Sequence, residues 1–216
     1  MENRLNRLKL TSYSVTTLDL IIQNASDLNF STRKDGANCY YHLAKFTLDA
    51  SLAEAWEWVT KRNGFILKIQ DESEVLFHGV VEDREITLQK IHIVAYGGTS
   101  YLYTPASGIK WYVSIRDLNS LALQHRQTTS ESRITVGARV YDSKGVMFPS
   151  SWIKAGEIIR IRDLVPATAM LDSASTDKLR TFTIMETGYS AESATNGLML
   201  DSDSPDLDAI LARAAL

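Results

Sequence analysis

Four histidines are where metal or acid–base chemistry would be sought first in this 216-residue chain. His42, His78, His92 and His125 are separated by 36, 14 and 33 residues. None falls in an H-E-x-x-H, H-x-H or cysteine-paired pattern of the kind a zinc site uses. His78 and His92 could meet across neighbouring strands, where side chains opposite one another in a ladder lie close. Two imidazoles would still need a third ligand that the sequence does not announce. Asp201, Asp203, Asp206 and Asp208 suggest calcium, yet an EF-hand loop begun at Asp201 needs Gly at its sixth position and Glu at its twelfth, where the chain has Asp206 and Ala212. Aspartates at a helix start are what the macrodipole favours, so a structural reading suffices for them.

Nucleophilic and phosphate chemistry fare no better. There is no G-x-S-x-G elbow, and Cys39 has only His42 nearby, three residues along an expected strand and therefore on its opposite face. Gly97-Gly98-Thr99-Ser100 follows a strand but lacks the phosphate-loop spacing. Asp71 with Glu74, and Glu82 with Asp83 and Glu85, imitate a glycosidase pair, but they fall in expected turns, where solvated charge is the ordinary state. The reading is of a chain that is no enzyme, with no catalytic residues, no metal and no cofactor.

The aromatic residues are more informative. Tyr101, Tyr103, Trp111 and Tyr112 cluster around a loop rich in Gly, Ser and Pro. Rigid rings in such a place suit a protein interface or a carbohydrate platform, because they bury much area at little entropic cost. Packing in a core or on an edge strand is the alternative for the same four residues.

Composition sets the surroundings for these residues. Lys and Arg number 23 against 26 Asp and Glu, for a net charge of −3, and 44% of residues are hydrophobic. That is the profile of a globular chain able to build a core without staples, as one domain or two small ones. The weakly acidic balance lacks the broad basic field that non-specific nucleic-acid binding uses, so no DNA or RNA partner is expected. A single cysteine forbids an intrachain disulfide and fits a reducing compartment, with Cys39 as a small buried apolar residue. No apolar run follows Met1–Leu10 as a secretory segment would require, and nothing approaches the roughly 20 apolar residues of a membrane span. The expectation is synthesis without export, which makes the Asn24-Ala25-Ser26 and Asn29-Phe30-Ser31 glycosylation patterns chance matches.

The elements that must position the side chains follow mainly a period of two. Ala44, Phe46 and Leu48 share one side, as do Phe65, Leu67 and Ile69, then Ile91, Ile93 and Ala95. Gln70–Glu74 is short enough to close an antiparallel hairpin onto Val75–Val81. One helix interrupts the pattern at about residues 52–62. Ser51 and Glu54 form a capping box, Leu52, Ala55, Trp56 and Val59 make one apolar stripe, and Asn63-Gly64 supplies the stop. That stripe predicts Trp56 laid onto the sheet and Trp58 turned outward. Asp117 is read as capping a short helix through His125, and the polar run Arg126–Ser132 as a linker. Strands resume with Ile134, Val136, Ala138 and Val140, then Val146–Phe148, Ile158–Ile161, Thr181–Met185 and Leu198–Leu200. Ser204, Pro205 and the aspartates beyond them open a terminal helix. The fold class is mainly β: antiparallel sheets, sandwich or barrel-like, with one packed helix and a short C-terminal helix. The regions expected are 10–125, 133–200 and a terminal helix at 204–215.

Two stretches carry a resemblance. Phe65–Val81, F-I-L-K-I-Q-D-E-S-E-V-L-F-H-G-V-V, resembles the strand-turn-strand segment of tail-tip and baseplate-hub proteins of long-tailed bacteriophages, where an aromatic residue and a glycine precede paired valines. Val140–Pro166, continued by Arg180–Tyr189, is similar to the carboxy-terminal β region of phage minor tail proteins, with its aliphatic-glycine turn and the Lys-Ala-Gly-Glu step before a strand. The resemblance implies a structural virion component assembled in the host cytoplasm, in which β-rich modules ring the tail axis and meet other tail proteins. It brings no catalytic residues. A homo-oligomer acting through assembly is therefore the leading expectation. A monomeric β-rich binding module, for carbohydrate or a cell-surface partner through Trp111 and its neighbouring tyrosines, is the alternative.

Overall fold

A computed structural model of the chain describes residues 8–13, 25–51, 53–60, 66–125, 130–164, 173 and 180–201. The chain divides into two compact units, Met1–Thr104 with Gly188–Ala194, and Pro105–Thr187 with Thr195–Leu216.

The first unit contains β1 (Leu8–Tyr13), β2 (Ser26–Asp35), β3 (Asn38–Asp49), the helix α1 (Ala53–Thr60), β4 (Ile66–Asp71), β5 (Glu74–Ile86), β6 (Lys90–Tyr96) and β7 (Leu102–Tyr103). Its strands run in the order β1-β4-β5-β6-β3-β2, with β7 added to β3. The period-two reading holds: Ala44, Phe46, Leu48, Leu67, Ile69, Ile91, Ile93 and Ala95 are all buried on the inner side. The expected hairpin is β4–β5, in register from Ile66 opposite Val80 to Asp71 opposite Glu74. Glu72 takes the left-handed conformation in its turn, at φ 54°. Residues Gly188–Ala194 complete this unit: the Ala191 N–H donates to the Leu28 carbonyl, and the Tyr189 ring packs on Phe30.

The second unit contains β8 (Ile109–Ser114), β9 (Leu118–His125), β10 (Ser130–Val136), β11 (Arg139–Tyr141), β12 (Met147–Pro149), β13 (Ile158–Arg162), most of β14 (Thr181–Ser190) and β15 (Thr195–Asp201). Their order is β9-β10-β15-β14-β13-β8-β11-β12. Inward residues from six of these strands, Trp111, Ile134, Val140, Ile159, Phe182 and Leu198 among them, form one core.

Several expectations need correction. The sheet is mixed rather than wholly antiparallel, because β8 and β13 pair in parallel; the crossover that a parallel pair requires is supplied by the intervening β9–β12. Residues 117–125 are not a helix. A 3-10 turn at Ile115–Asp117, capped by Ser114 Oγ accepting from the Arg116 N–H, leads directly into β9. Leu118 and Leu121 fit a helical period and Leu121 and Leu123 a strand period, so pairing with β10 decides between them. Of the polar run Arg126–Ser132 read as a linker, Ser130–Ser132 open β10, which pairs with β9 from His125 opposite Ser130 onward, and residues 126–129 lie outside the described residues.

The helix is present over Ala53–Thr60, with residues 52, 61 and 62 of its expected span outside the described residues, and it is differently seated. Ala55 is buried and Val59 half-buried, whereas Trp56 is 43% exposed. Its indole Nε1 donates to the Ala50 carbonyl, 2.8 Å away. Helical side chains lean toward the N-terminus, and an indole N–H needs an acceptor, so the ring turns back along the segment before the helix instead of entering the sheet. The Trp58 side chain, Leu52 and the terminal helix expected at 204–215 lie outside the described residues.

Candidate functional site

The aromatic loop is shaped by a close backbone approach. The Gly97 N–H donates to the His42 carbonyl at 3.1 Å, and a Cβ on Gly97 would overlap the Tyr41 carbonyl. A 3-10 turn at Gly98–Ser100 then presents Tyr101, and β7 pairs Tyr103 opposite Cys39. Tyr103, Tyr41 and Phe77 form a ladder of rings with centroids 4.9 and 6.1 Å apart. The Tyr101 ring lies 4.5 Å from His78. Burial, with the nearby Lys68 as a lesser cause, holds the His78 imidazole below its ordinary pKa. Both tyrosines are half-buried, while Leu102 between them is exposed.

Trp111 and Tyr112 belong to the second unit and face differently. Trp111 is 1% exposed, in the core. Its Nε1 donates to Glu157 Oε2 at 2.5 Å, Lys110 Nζ meets Glu157 Oε1 at 2.5 Å, and the Lys154 N–H donates to Oε2 at 3.0 Å. Lys110 Nζ also sits 4.7 Å from the Trp111 ring centroid, and Phe148 packs edge-on at 5.8 Å. Tyr112 is half-buried beneath the Arg162 guanidinium, 5.0 Å from its ring. The four aromatic residues therefore divide as Tyr101 and Tyr103 in one unit, and Trp111 and Tyr112 in the other. Sequence reasoning missed Glu157. Its one signal was an acid directly before an apolar strand, in the Lys154-Ala155-Gly156-Glu157 step.

The histidine pair does not form. Lys68 stands opposite His78, and Glu85 opposite His92. His92 Nδ1 instead lies 3.1 Å from Thr47 Oγ1. Among the described residues no group of three His, Cys, Asp or Glu is placed to hold a metal ion. Cys39 is buried, as a small apolar residue would be. Glu82, Asp83 and Glu85, expected in turns, are exposed on β5 itself.

Two hairpins carry exposed apolar side chains that the sequence reading passed over. In the first unit Ile86 and Leu88 cap the β5–β6 hairpin, Leu88 fully exposed; in the second, Val146 and Met147 lie at the β11–β12 turn, each about half exposed. The Asp142 carboxylate holds that turn, accepting from the Lys144 and Val146 N–H groups at 2.8 Å each.

The chain has the fold of phage tail proteins. The tail protein from Neisseria meningitidis MC58 matches it with a TM-score of 0.53 at 6% identity, over 91% of this chain and 96% of that one. The 43 kDa tail protein of prophage MuSo2 from Shewanella oneidensis matches with a TM-score of 0.50 at 9% identity, over 92% and 99%. At these identities the likeness is one of fold. No protein-family model matches the chain, and neither does any curated protein sequence.

Proposed function

We propose that this chain is a structural module of a phage or phage-derived tail, at the tail tip or baseplate, that works by assembling with further copies of itself and with other tail proteins. One observation carries the reading: the fold likeness covers 91% of this chain and 96% of the Neisseria tail protein, which supports a shared plan over most of the chain and not one borrowed motif. The chemistry of the site supports it. The described residues offer packed rings and a part-buried ion pair that hold their own units, and exposed apolar hairpin tips of the kind a neighbouring subunit covers. On this reading the protein is not an enzyme, is built into the virion and is assembled in the host cytoplasm.

The carbohydrate alternative loses its principal residue, because the Trp111 ring is enclosed in the core with its indole N–H committed to Glu157. Size-exclusion chromatography with light scattering tests assembly: the expected mass is a multiple of 24.1 kDa. A single-chain mass through the micromolar range would count against it. Antibody labelling of particles from a host that carries the gene tests position, with label expected at the tail end.

A further inference from the structure

We infer that the β5–β6 hairpin of one copy docks on the β11–β12 hairpin of the next, forming a head-to-tail contact between copies of this chain. The inference rests on the assembly reading above and names the surfaces that would carry it.

The first surface is apolar at its tip, at Leu88, and acidic on the strand face that carries Asp83 and Glu85, opposite to the face of Ile86. Leu88 is fully exposed and Ile86 nearly half exposed, although Ile86 stands opposite the buried Ile91. An apolar side chain standing free at a hairpin tip leaves water only when a partner covers it. Below the tip, Glu82, Asp83 and Glu85 are exposed. Of the basic residues alongside, Arg84 is half-buried and donates to the Val59 carbonyl, whereas Lys90 is exposed, so the hairpin carries three exposed acids against one exposed base.

The second surface has the same form and the opposite charge. Val146 and Met147 are exposed at the β11–β12 turn, flanked by the exposed Arg139 and Lys144. Asp142, the acid in the same turn, has its carboxylate directed to the turn's own N–H groups. Arg139 Nη1 lies 3.3 Å from Met147 Sδ, which places the positive charge directly beside the apolar side chain.

Complementarity of this kind selects the occupant. Acid meets base and apolar tip meets apolar tip only when the first surface meets the second; either surface facing its own copy sets like charges together, which costs association. Two different patches on one chain make a heterologous contact, which propagates from copy to copy and closes into a ring when its rotation permits.

The test is charge reversal in the full-length chain, read by sedimentation velocity, with circular dichroism to verify folding. Asp83→Arg with Glu85→Arg, and separately Arg139→Glu with Lys144→Glu, are each expected to weaken self-association about tenfold or more. An equimolar mixture of the two variants is expected to restore it, because each reversed surface then finds its complement on the other variant. Leu88→Ser, at a fully exposed position, is expected to weaken association without changing the melt, and it serves as the readout if a reversal misfolds. If the native chain assembles and all these variants assemble equally well, the contact lies elsewhere and this inference fails while the assembly reading stands. If the native chain stays monomeric at every concentration, both fail.

Discussion

A carboxylate that is 2% exposed persists in a β core only when its oxygens are claimed, and Glu157 has Trp111 Nε1, the Lys154 N–H and Lys110 Nζ upon it. Removing it strands a buried indole N–H and a backbone N–H. Glu157→Ala is accordingly expected to cost about 2–3 kcal/mol in urea unfolding, and Trp111→Ala about 3–5 kcal/mol from the same core. Variants that unfold like the native chain would place Trp111 on a surface after all. His78 gives a pH dependence. Its folded pKa is depressed, chiefly by burial and then by Lys68, so below about pH 6.5 the unfolded chain takes up the proton more readily than the folded one. The stability contributed by the neutral imidazole is thus complete above that pH and is lost as pH falls toward the depressed folded value. His78→Gln is expected to flatten the melting-temperature profile below about pH 6.5, and an unchanged slope would assign the dependence to other groups.

At the scale of elements, α1 and the loop after β6 show how one contact redirects a segment. Trp56 is tied to Ala50 and nearly half exposed, so Trp56→Ala is expected to cost only about 1 kcal/mol, the worth of one hydrogen bond and partial burial. A loss of several kcal/mol in chemical denaturation would instead support a ring seated in the sheet. Gly97 is the opposite case, a residue with no side chain whose place is decided by another's backbone. Gly97→Ala pushes a methyl into the Tyr41 carbonyl and is expected to cost about 1–3 kcal/mol through strain. Native-like stability in the melt of that variant would show that the loop yields. The β4–β5 hairpin was legible because two alternating strands flank a short polar turn. The helix was legible in existence but not in seating, since a 3.6-residue stripe states which residues share a face and not how far that face reaches the sheet.

At the scale of the molecule, both units are built on sheet and offer no ligand cluster among their described residues. Prolonged dialysis against a chelator is expected to leave the melting temperature unchanged; a fall of several degrees would reveal a structural metal. The proposed head-to-tail contact belongs to this scale as well. Its two surfaces come from different units, and exposed apolar tips such as Leu88 acquire a role only when another chain is present.

The sequence by itself determined the β character of the chain, the inward residues of most strands and the β4–β5 hairpin, since these follow from side-chain alternation along a few neighbouring residues. It also carried the resemblance to phage tail proteins that the fold repeats. Only the tertiary structure decided that Trp111 is core and Tyr101 partly surface, that His78 and His92 face Lys68 and Glu85, and that β8 lies parallel to β13. Each of these depends on which strand becomes whose neighbour, and in what register. Local pattern states which way a side chain points along its own strand, whereas its partners come from residues tens of positions away, chosen by the packing of the whole sheet.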